Sequence, residues 1–572
     1  MDNQRLLIWA VFAFLAWITY QTWVADYAPK PTPAVAAQAG STQTEPGPIP
    51  GDEELPALAD SGVDDALPST PDIAPEPVTQ TSAPTVTVST DVFDIVISTA
   101  GGTLQSAVLK KYPVHKDHPD VLVSLLGTAN ENYGLIESGV RAAGGAAEAT
   151  HLAQFAASRG NYALGDADEI VVPLTWTDES GVAVEKRYRF SRGSYEIGLE
   201  QVITNGSAEP WRGAEYVRIK RRSVEMERSM FDVDSYSFTG PIVYDGDKSA
   251  KLKRDDLIDD GKHEFTAQRG WMGTIQHHFL SAVVPTPDVD YKYDIGVTGD
   301  VATSSVIRRS LATVAPGSSE TFTTTVFVGP KLQEQLEEID KSLKLTVDYG
   351  WLTIISQPLF WLLSVVYGFV RNWGVAIIIV TFLIKLAFYK LTESSGRSMA
   401  KMRQIQPRMK ALQDRYKDDK QGLSQAMMEL YKREKVNPAA GCLPILIQMP
   451  FFLAFYWVLL ESVEMRQAPF ALWITDLSTR DPYFILPLIM GVAMFGQQKL
   501  NPAPADPVQA KVMQIMPVMF TVFFAFFPSG LVLYWVTNTL LSIAQQWKVN
   551  KVVEAESKAQ KGSKKGSSSR RE

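Results

Sequence analysis

Cysteine is almost absent from this 572-residue chain, which has a single one at position 442. One thiol forms no intramolecular disulfide, so sulfur chemistry does not indicate an oxidising compartment. Cys442 opens an apolar run with no histidine near it in the sequence. We therefore interpret it as a packing residue rather than a nucleophile.

Motifs of nucleotide-driven and catalytic proteins are also missing. The sequence has no GxxxxGK[ST] loop and no motif that pairs a nucleophile with a base. His277 and His278 are adjacent, but neighbouring side chains of a strand point to opposite faces and no carboxylate-histidine motif accompanies them. We expect no enzyme activity, no metal site and no cofactor, although the sequence leaves room for a ligand cleft.

Charged and apolar residues are unevenly distributed along the chain. The formal net charge is -8, yet the acids concentrate in residues 25–80 and the residues after 557 are mostly basic or small. Apolar residues concentrate at the N-terminus and beyond about residue 350. This segregation predicts a water-exposed part and a membrane part.

The first 330 residues predict an anchor, a linker and a β-domain. Residues 6–24 are apolar enough to cross about 30 Å of hydrocarbon. Arg5 before them predicts a cytoplasmic N-terminus. A cleaved signal peptide is the alternative, but the small-residue triplet at 34–36 comes late for cleavage. The following segment is rich in proline, alanine and acids, which predicts a flexible linker. Short segments of alternating apolar and polar residues then predict an antiparallel β-sandwich. These segments are 92–97, 182–190, 195–203 and 321–328.

The segment after the β-domain predicts two helices outside the membrane. Leu332, Leu336, Ile339 and Leu343 have helical spacing, which predicts one amphipathic helix over 331–345. Residues 351–370 contain Pro358 and several Trp and Tyr, and we expect them to lie along the outer membrane surface.

Charge parity sets the predicted topology. Residues 392–438 hold eleven Lys or Arg, which predicts a cytoplasmic segment, and 375–391 is the better span before it. Four more apolar runs make six crossings, with both termini cytoplasmic, and two of the runs are short enough to favour a locally thin bilayer. These runs are 443–460, 483–497, 512–527 and 531–547.

The cytoplasmic segment predicts an antiparallel helical hairpin with a methionine-rich seam. Its first arm should bend or break at Pro407. Two interpretations of the methionine-rich seam are equally favoured. In one the two arms simply pack on each other, and in the other the seam is a docking surface for protein or lipid headgroups. The candidate docking residues are Met399, Met402, Met409 and Met427.

Lys385 is the candidate functional residue of the second span, because a charge at the bilayer centre is costly. Snorkelling to the nearby surface is the alternative, but Thr381 extends the polar face deeper. Tyr534, Asn538 and Ser542 form a second polar stripe, and Gln448 adds an amide in the third span. Such groups can simply bond across helices. Together with Lys385 they predict a hydrated groove.

Several motifs carry a resemblance to a known family. They are VNP at 436–438 with GC at 441–442, QMPFF at 448–452, RQAPFALWI at 466–474 and FPSGLVLYW at 527–535. Over most of residues 345–548 the chain resembles the YidC family of membrane protein insertases, and its N-terminal part is similar to the Gram-negative form with a periplasmic β-supersandwich.

The resemblance implies a five-helix core around a groove that is open to lipid and cytoplasm. The groove residue of the family is usually arginine, and Lys385 occupies its position here. Thr381 and Trp535 match positions associated with substrate contact, the latter commonly tyrosine. The resemblance implies an insertase and chaperone of the bacterial inner membrane. Its implied partners are nascent membrane proteins, the Sec translocon, the ribosome, the signal recognition particle receptor and membrane lipids.

The predicted fold class is therefore a multi-pass α-helical membrane protein with six spans, a periplasmic β-supersandwich and a cytoplasmic hairpin. A secondary transporter would show repeated halves, which we do not find. A membrane-anchored enzyme or sugar-binding module is the other alternative. The predicted segments are 1–24 (anchor), 25–85 (linker), 86–330 (β-domain), 331–371 (connecting and interfacial helices), 372–391 (second span), 392–438 (hairpin), 439–548 (third to sixth spans) and 549–572 (basic tail).

Overall fold

The computed structural model describes residues 83–223, 237–416, 419–434, 436, 443–501 and 507–568. The predicted anchor, all but the last three residues of the predicted linker, Cys442 and the final four residues of the tail lie outside the described residues.

Two β-sheets form the N-terminal part, here called the β-domain. The first sheet contains β1 (Thr85–Ser89), β2 (Phe93–Ser98), β3 (Leu104–His115), β4 (His118–Leu126), β5 (Gly134–Ala142), β7 (Asn161–Ala163), β11 (Trp211–Arg222), β14 (His263–Ala267), β17 (Tyr291–Thr298), β18 (Val301–Arg308) and β19 (Ala312–Val314). The second contains β6 (Ala156–Ala157), β8 (Glu169–Thr177), β9 (Val182–Ser191), β10 (Glu196–Asn205), β12 (Thr239–Tyr244), β13 (Ser249–Lys251), β15 (Trp271–Gln276), β16 (Phe279–Pro285) and β20 (Ser319–Pro330).

Alternation along the strands explains the sandwich. In β9 every second residue is buried, and Tyr188 and Phe190 belong to the core while Arg187 and Arg189 lie on the other face. Strand β9 pairs antiparallel with β10, so Tyr188 lies opposite Leu199. The predicted antiparallel β-sandwich is confirmed, with one parallel pairing of β1 and β7 added.

The segment after the β-domain differs from its prediction. A short helix, α1 (Arg254–Asp259), lies within the β-domain, and α2 (Gln333–Ile339) follows it. The single helix predicted over 331–345 is wrong, because α2 ends at Ile339 and a 3-10 turn runs over Lys341–Thr346. The Asp340 carboxylate accepts a hydrogen bond from the Ser342 amide at 2.7 Å, and this local bond competes with the continuing helix.

Helices form the C-terminal part. They are α3 (Thr353–Val370), α4 (Trp373–Ala387), α5 (Tyr389–Arg415), α6 (Lys420–Arg433), α7 (Leu443–Glu461), α8 (Ile485–Leu500), α9 (Pro507–Phe524) and α10 (Ser529–Ser568).

Among the described helices, Gly350–Val370 is long and apolar enough to cross a membrane. Helices α4 and α5 are long and apolar enough only when taken together, and the chain bends by 70° between them. Shorter apolar helices cover Leu446–Glu461, Ile485–Leu500 and Lys511–Phe524. Length and composition alone would thus allow a crossing where we predicted an interfacial helix. The six crossings and their orientation stay predictions.

The helices of the C-terminal part differ from the predictions at three places. Within the span predicted over 375–391 the helix ends at Ala387, where the chain bends. Pro407 does not break α5, since it lies on an exposed face where solvent can satisfy the carbonyl that it leaves unbonded, and the predicted bend stays a prediction. Helix α10 continues past residue 548 and packs Val549 and Val553 against Ala400 of α5, while the predicted division into membrane span and tail stays a prediction.

A buried ion pair joins the β-domain to the helices. Lys331, which follows β20, lies 3.1 Å from the Glu461 carboxylate at the end of α7, and the two side chains are 1% and 7% exposed. The same ammonium group also donates to the Thr346 carbonyl at 3.4 Å. Burial lowers the pKa of Lys331, and Glu461 opposes that shift. We call this contact the joint.

We call residues 462–484 the outer loop, after their predicted position outside the membrane. A second contact lies between this loop and the β3–β4 hairpin. Arg466 donates to the Pro113 carbonyl at 2.9 Å, and the Gln467 amide donates to the same carbonyl at 3.0 Å. His277 contacts the Leu460 carbonyl at 3.0 Å. The β-domain therefore contacts both the outer loop and the end of α7.

The outer loop also covers the start of α4. The Asn372 side chain accepts from the Val375 amide at 3.0 Å and donates to the Phe470 carbonyl at 2.9 Å. The Phe470 ring lies against Gly374, where any Cβ would overlap it. Glycine is thus required for this close approach.

Removing one partner of the joint should destabilise the protein more than removing both. Lys331→Met leaves the Glu461 carboxylate buried without its cation, at a cost of roughly 3 to 5 kcal/mol, whereas Lys331→Met with Glu461→Leu should recover most of the loss. Thermal unfolding in detergent measures this. Lys344→Met is the control, because its ion pair with Glu337 is partly exposed and worth about 0 to 1 kcal/mol. Equal losses for the single and double variants would contradict the prediction.

Overfilling the contact below Phe470 should also lower stability. Gly374→Ala forces the ring to move and should cost about 1 to 3 kcal/mol. Gly368→Ala in α3 is the matched control, because a Cβ there meets nothing within 4 Å. The same thermal unfolding experiment compares the two variants, and identical melting temperatures would refute the close packing.

Candidate functional site

Lys385 lies in the last turn of α4 and reaches α10. Its ammonium group donates to the Ser542 hydroxyl at 2.7 Å, and that hydroxyl donates to the Asn538 carbonyl at 2.7 Å. The lysine side chain is half-buried. The Lys385 ammonium group therefore points toward the polar stripe of α10, which contains Ser542. A snorkelling lysine would instead point its ammonium group away from α10 and toward the membrane surface.

A small pocket brings most of the predicted site residues together. It encloses about 30 Å³, which is space for about one water molecule. We call it the polar pocket. Its lining includes the predicted residues Thr381, Lys385, Gln448, Tyr534 and Asn538.

Buried packing fixes the other polar groups of this pocket. Tyr534 is 2% exposed, and its ring stacks on Phe455 with the centroids 4.4 Å apart. Asn538 is also buried. Thr381 is buried as well, and its hydroxyl donates to the Ile377 carbonyl at 2.6 Å within its own helix. The Thr381 donor is thus used within its own helix, and the hydroxyl offers the polar pocket only its acceptor lone pairs.

Trp535 is the predicted site residue that the structure does not bring to the polar pocket. Its ring centroid lies 4.9 Å from Phe452 and 5.2 Å from Phe524, in an aromatic cluster between α7 and α9. Consecutive residues of a helix point about 100° apart, so Tyr534 and Trp535 face different neighbours.

Phe388, Phe451 and Thr392 also line the polar pocket and are not among the predicted site residues. Thr392 accepts a hydrogen bond from the Gln545 amide at 2.7 Å, so the polar contacts continue along α5 and α10. Helical spacing was the available signal for Phe451, which follows Gln448 by three residues, but not for Thr392, because the chain bends by 70° between Lys385 and Thr392.

The charge of the polar pocket is positive. Among the described residues, no aspartate or glutamate lines it, and the contact recorded for the Lys385 ammonium group is the neutral Ser542 hydroxyl. Because neutral hydroxyls only partly replace hydration, the site favours an anionic group nearby.

The predicted docking methionines mostly face inward. Met409 is 5% exposed in a cluster with Ile405 and Leu430, and Met402 and Met427 are half-buried against that cluster. Met399 is half-buried outside it. These contacts fit a hairpin packed on itself, while docking and a cytoplasmic location stay predictions.

Comparisons with known proteins agree with this architecture. A family model described as "60Kd inner membrane protein" matches residues 365–557, and one described as "YidC periplasmic domain" matches residues 85–362. A relative from Thioalkalivibrio sulfidiphilus is 47% identical over 97% of this chain and 99% of its own length. A relative from Nitrosococcus oceani is 43% identical over 97% of this chain and 100% of its own. Both carry the name membrane protein insertase YidC. The chain therefore belongs to the YidC family of membrane protein insertases.

Proposed function

We propose that the chain inserts membrane proteins by guiding a hydrophobic segment past the polar pocket, with Lys385 as a transient partner for the acidic flank of that segment. The observation that carries this mechanism is the half-buried ammonium group, which Ser542 orients and which no acid of the pocket lining neutralises. An insertase forms and breaks no covalent bond, so the site needs only to lower the cost of moving charge.

Magnitudes support this role for one lysine. An ion pair at about 4 Å with an effective dielectric near 20 is worth about 4 kcal/mol. Placing a single carboxylate at the centre of a membrane helix costs roughly 2.5 to 3.5 kcal/mol. One cation can therefore offset about one acid, and partition of the apolar segment into lipid supplies the net drive.

The surroundings of the two ends of α4 differ, which favours one direction of entry. Toward α5 the polar contacts continue through Thr392 and Gln545. Toward the outer loop, Phe470 covers Gly374, and Trp373 is buried and stacks on Tyr367. We infer that the segment enters from the α5 side, which is the predicted cytoplasmic side.

The narrow pocket also bears on the route. A space of about 30 Å³ cannot hold a helix, so the substrate has to lie mainly in lipid beside it. Phe382, Leu383 and Leu386 of α4 are exposed and offer an apolar edge for that segment. The polar pocket then receives only the flank.

The remaining expectations complete the proposed function. We propose six crossings of the inner membrane, cytoplasmic termini, a periplasmic β-domain and a cytoplasmic hairpin that docks protein or lipid. Partners would be nascent membrane proteins, the ribosome, the Sec translocon and the signal recognition particle receptor. The basic end of α10 supports contact with ribosomal RNA through phosphate groups.

Charge reversal at Lys385 tests the mechanism. Two substrates that differ only in an acidic or a neutral translocated flank are inserted into vesicles that contain each variant. Lys385→Glu should slow the acidic substrate at least tenfold, about 1.4 kcal/mol, and the neutral one less than twofold. Lys385→Arg should stay close to wild type because the charge is kept.

Two further variants separate charge from structure. Ser542→Ala should slow only the acidic substrate, because the ammonium group loses its orienting partner. Lys390→Glu, an exposed lysine five residues further on, is the matched control and should leave both substrates unchanged. Normal insertion of the acidic substrate by Lys385→Glu would remove the lysine from the mechanism.

Photo-crosslinking tests the route. A photoreactive residue at Gln448, half-buried in the polar pocket, should crosslink to a stalled nascent chain more strongly than one at Trp535, which lies in the aromatic cluster. Val492, 75% exposed on α8, is the control for contact through lipid. Stronger adducts at Trp535 than at Gln448 would place the path along the other face of α10.

A further inference from the structure

A larger cavity lies in the β-domain, far in sequence from the polar pocket. Its volume is about 650 Å³. Its lining includes Pro285, the last residue of β16, and Ile339 and Asp340 at the C-terminal end of α2. This volume is typical of sites for small molecules. We call it the β-domain pocket.

Glu215 of β11 lines the β-domain pocket as a buried carboxylate. It is 2% exposed. One of its oxygens accepts from the Tyr291 hydroxyl at 2.7 Å, and the other accepts from the Thr324 hydroxyl at 3.1 Å. Burial raises the pKa of Glu215 to about 7, and the two hydroxyl groups and Arg308 oppose the shift. Both hydroxyl groups orient the carboxylate, but neither neutralises it.

The two arginines of the β-domain pocket have other contact partners, although the charge of Arg308 still acts on Glu215 from beyond ion-pair distance. Arg308 lies over the Phe322 ring, 5.3 Å from its centroid, and donates to the Ser310 hydroxyl at 3.2 Å. Arg269 pairs with Asp288 at 2.9 Å. Within the described part of the chain, no cation forms an ion pair with Glu215.

Another buried carboxylate of the same domain shows what a structural role requires. Glu137 is 6% exposed and pairs with Arg218 at 2.5 Å and with Lys220 at 3.4 Å. A buried acid without a cation is costly, and the usual solution in a packed interior is such a pairing. Among the described residues Glu215 has no such paired cation, and it borders a cavity. Its counter-ion can therefore come from a ligand outside the chain.

We propose that the β-domain pocket binds a ligand that carries an alkylammonium group, with Glu215 as its counter-ion. A primary ammonium group has three donors and can use the free lone pairs of the carboxylate. The volume leaves room for the attached alkyl chain beside Val284, Pro285 and Pro287. A free diamine and a lysine side chain of a peptide share this chemistry.

Calorimetry of the full chain in detergent tests the proposal. Cadaverine and a short peptide with one lysine are titrated separately, which distinguishes the two sources, and 1,5-pentanediol serves as the neutral analogue of cadaverine. We expect saturable binding of at least one of the two amines and none of the diol. Glu215→Gln keeps the shape of the side chain and should weaken amine binding at least tenfold.

Proton release gives a second readout. Because burial raises the pKa of Glu215 to about 7, part of the Glu215 carboxyl groups are protonated at pH 7, and binding of an ammonium group should displace those protons. Titrations in two buffers of different ionisation enthalpy measure the released protons. The release should vanish in Glu215→Gln and should fall toward zero at pH 8.5, where the carboxylate is already ionised.

Glu264→Gln is the matched control, because Glu264 lies on the surface of β14 and pairs with Lys292 at 2.9 Å. Thermal unfolding verifies that both variants fold. The proposal is overturned if neither amine binds saturably, if the diol binds as well as cadaverine, or if Glu215→Gln binds amines like the wild type. None of these outcomes depends on insertion activity.

Discussion

The ion pair between Lys331 and Glu461 is the contact on which the arrangement of the two parts depends. Two nearly dry charges attract strongly only while both are present and close. Lys331 is the first residue after the last strand of the sandwich, and Glu461 is the last residue of α7. The ion pair therefore lies next to the point where the chain passes from the β-domain to the helices. Arg466 and Pro113 add a second contact, and two separated contacts fix an orientation that one alone would leave free to rotate.

The outer loop links the joint to the start of α10. The Ser529 amide donates to the Thr479 carbonyl and the Gly530 amide to the Leu477 carbonyl, so two backbone bonds hold the first turn of α10 on the loop. The same loop carries Phe470 over Gly374 at the start of α4. The two helices that meet at Lys385 and Ser542 are therefore both fixed at their outer ends.

Sequence periodicity predicted the sandwich and most helices because each strand or helix must show one apolar face to its neighbours. Local competition was harder to predict, as Asp340 shows by ending α2 early. Pairing across long separations left no signal at all, since Lys331 and Glu461 lie 130 residues apart. The polar stripe around Lys385 was predictable from spacing alone. The direction of Trp535 differs from the prediction, because its side chain points about 100° away from that of Tyr534 around the helix.

Helix α10 continues without interruption from Ser529 to Ser568. At 1.5 Å per residue its 40 residues extend about 60 Å, roughly twice the thickness of the hydrocarbon layer. Gln545 and Gln546 fasten its middle to α5, and Val553 packs still further along. From Asn538 to Ser568 the helix runs for a further 30 residues, about 45 Å at 1.5 Å per residue. Tyr534 and Asn538 of the polar pocket and the basic residues near the far end therefore belong to one continuous helix.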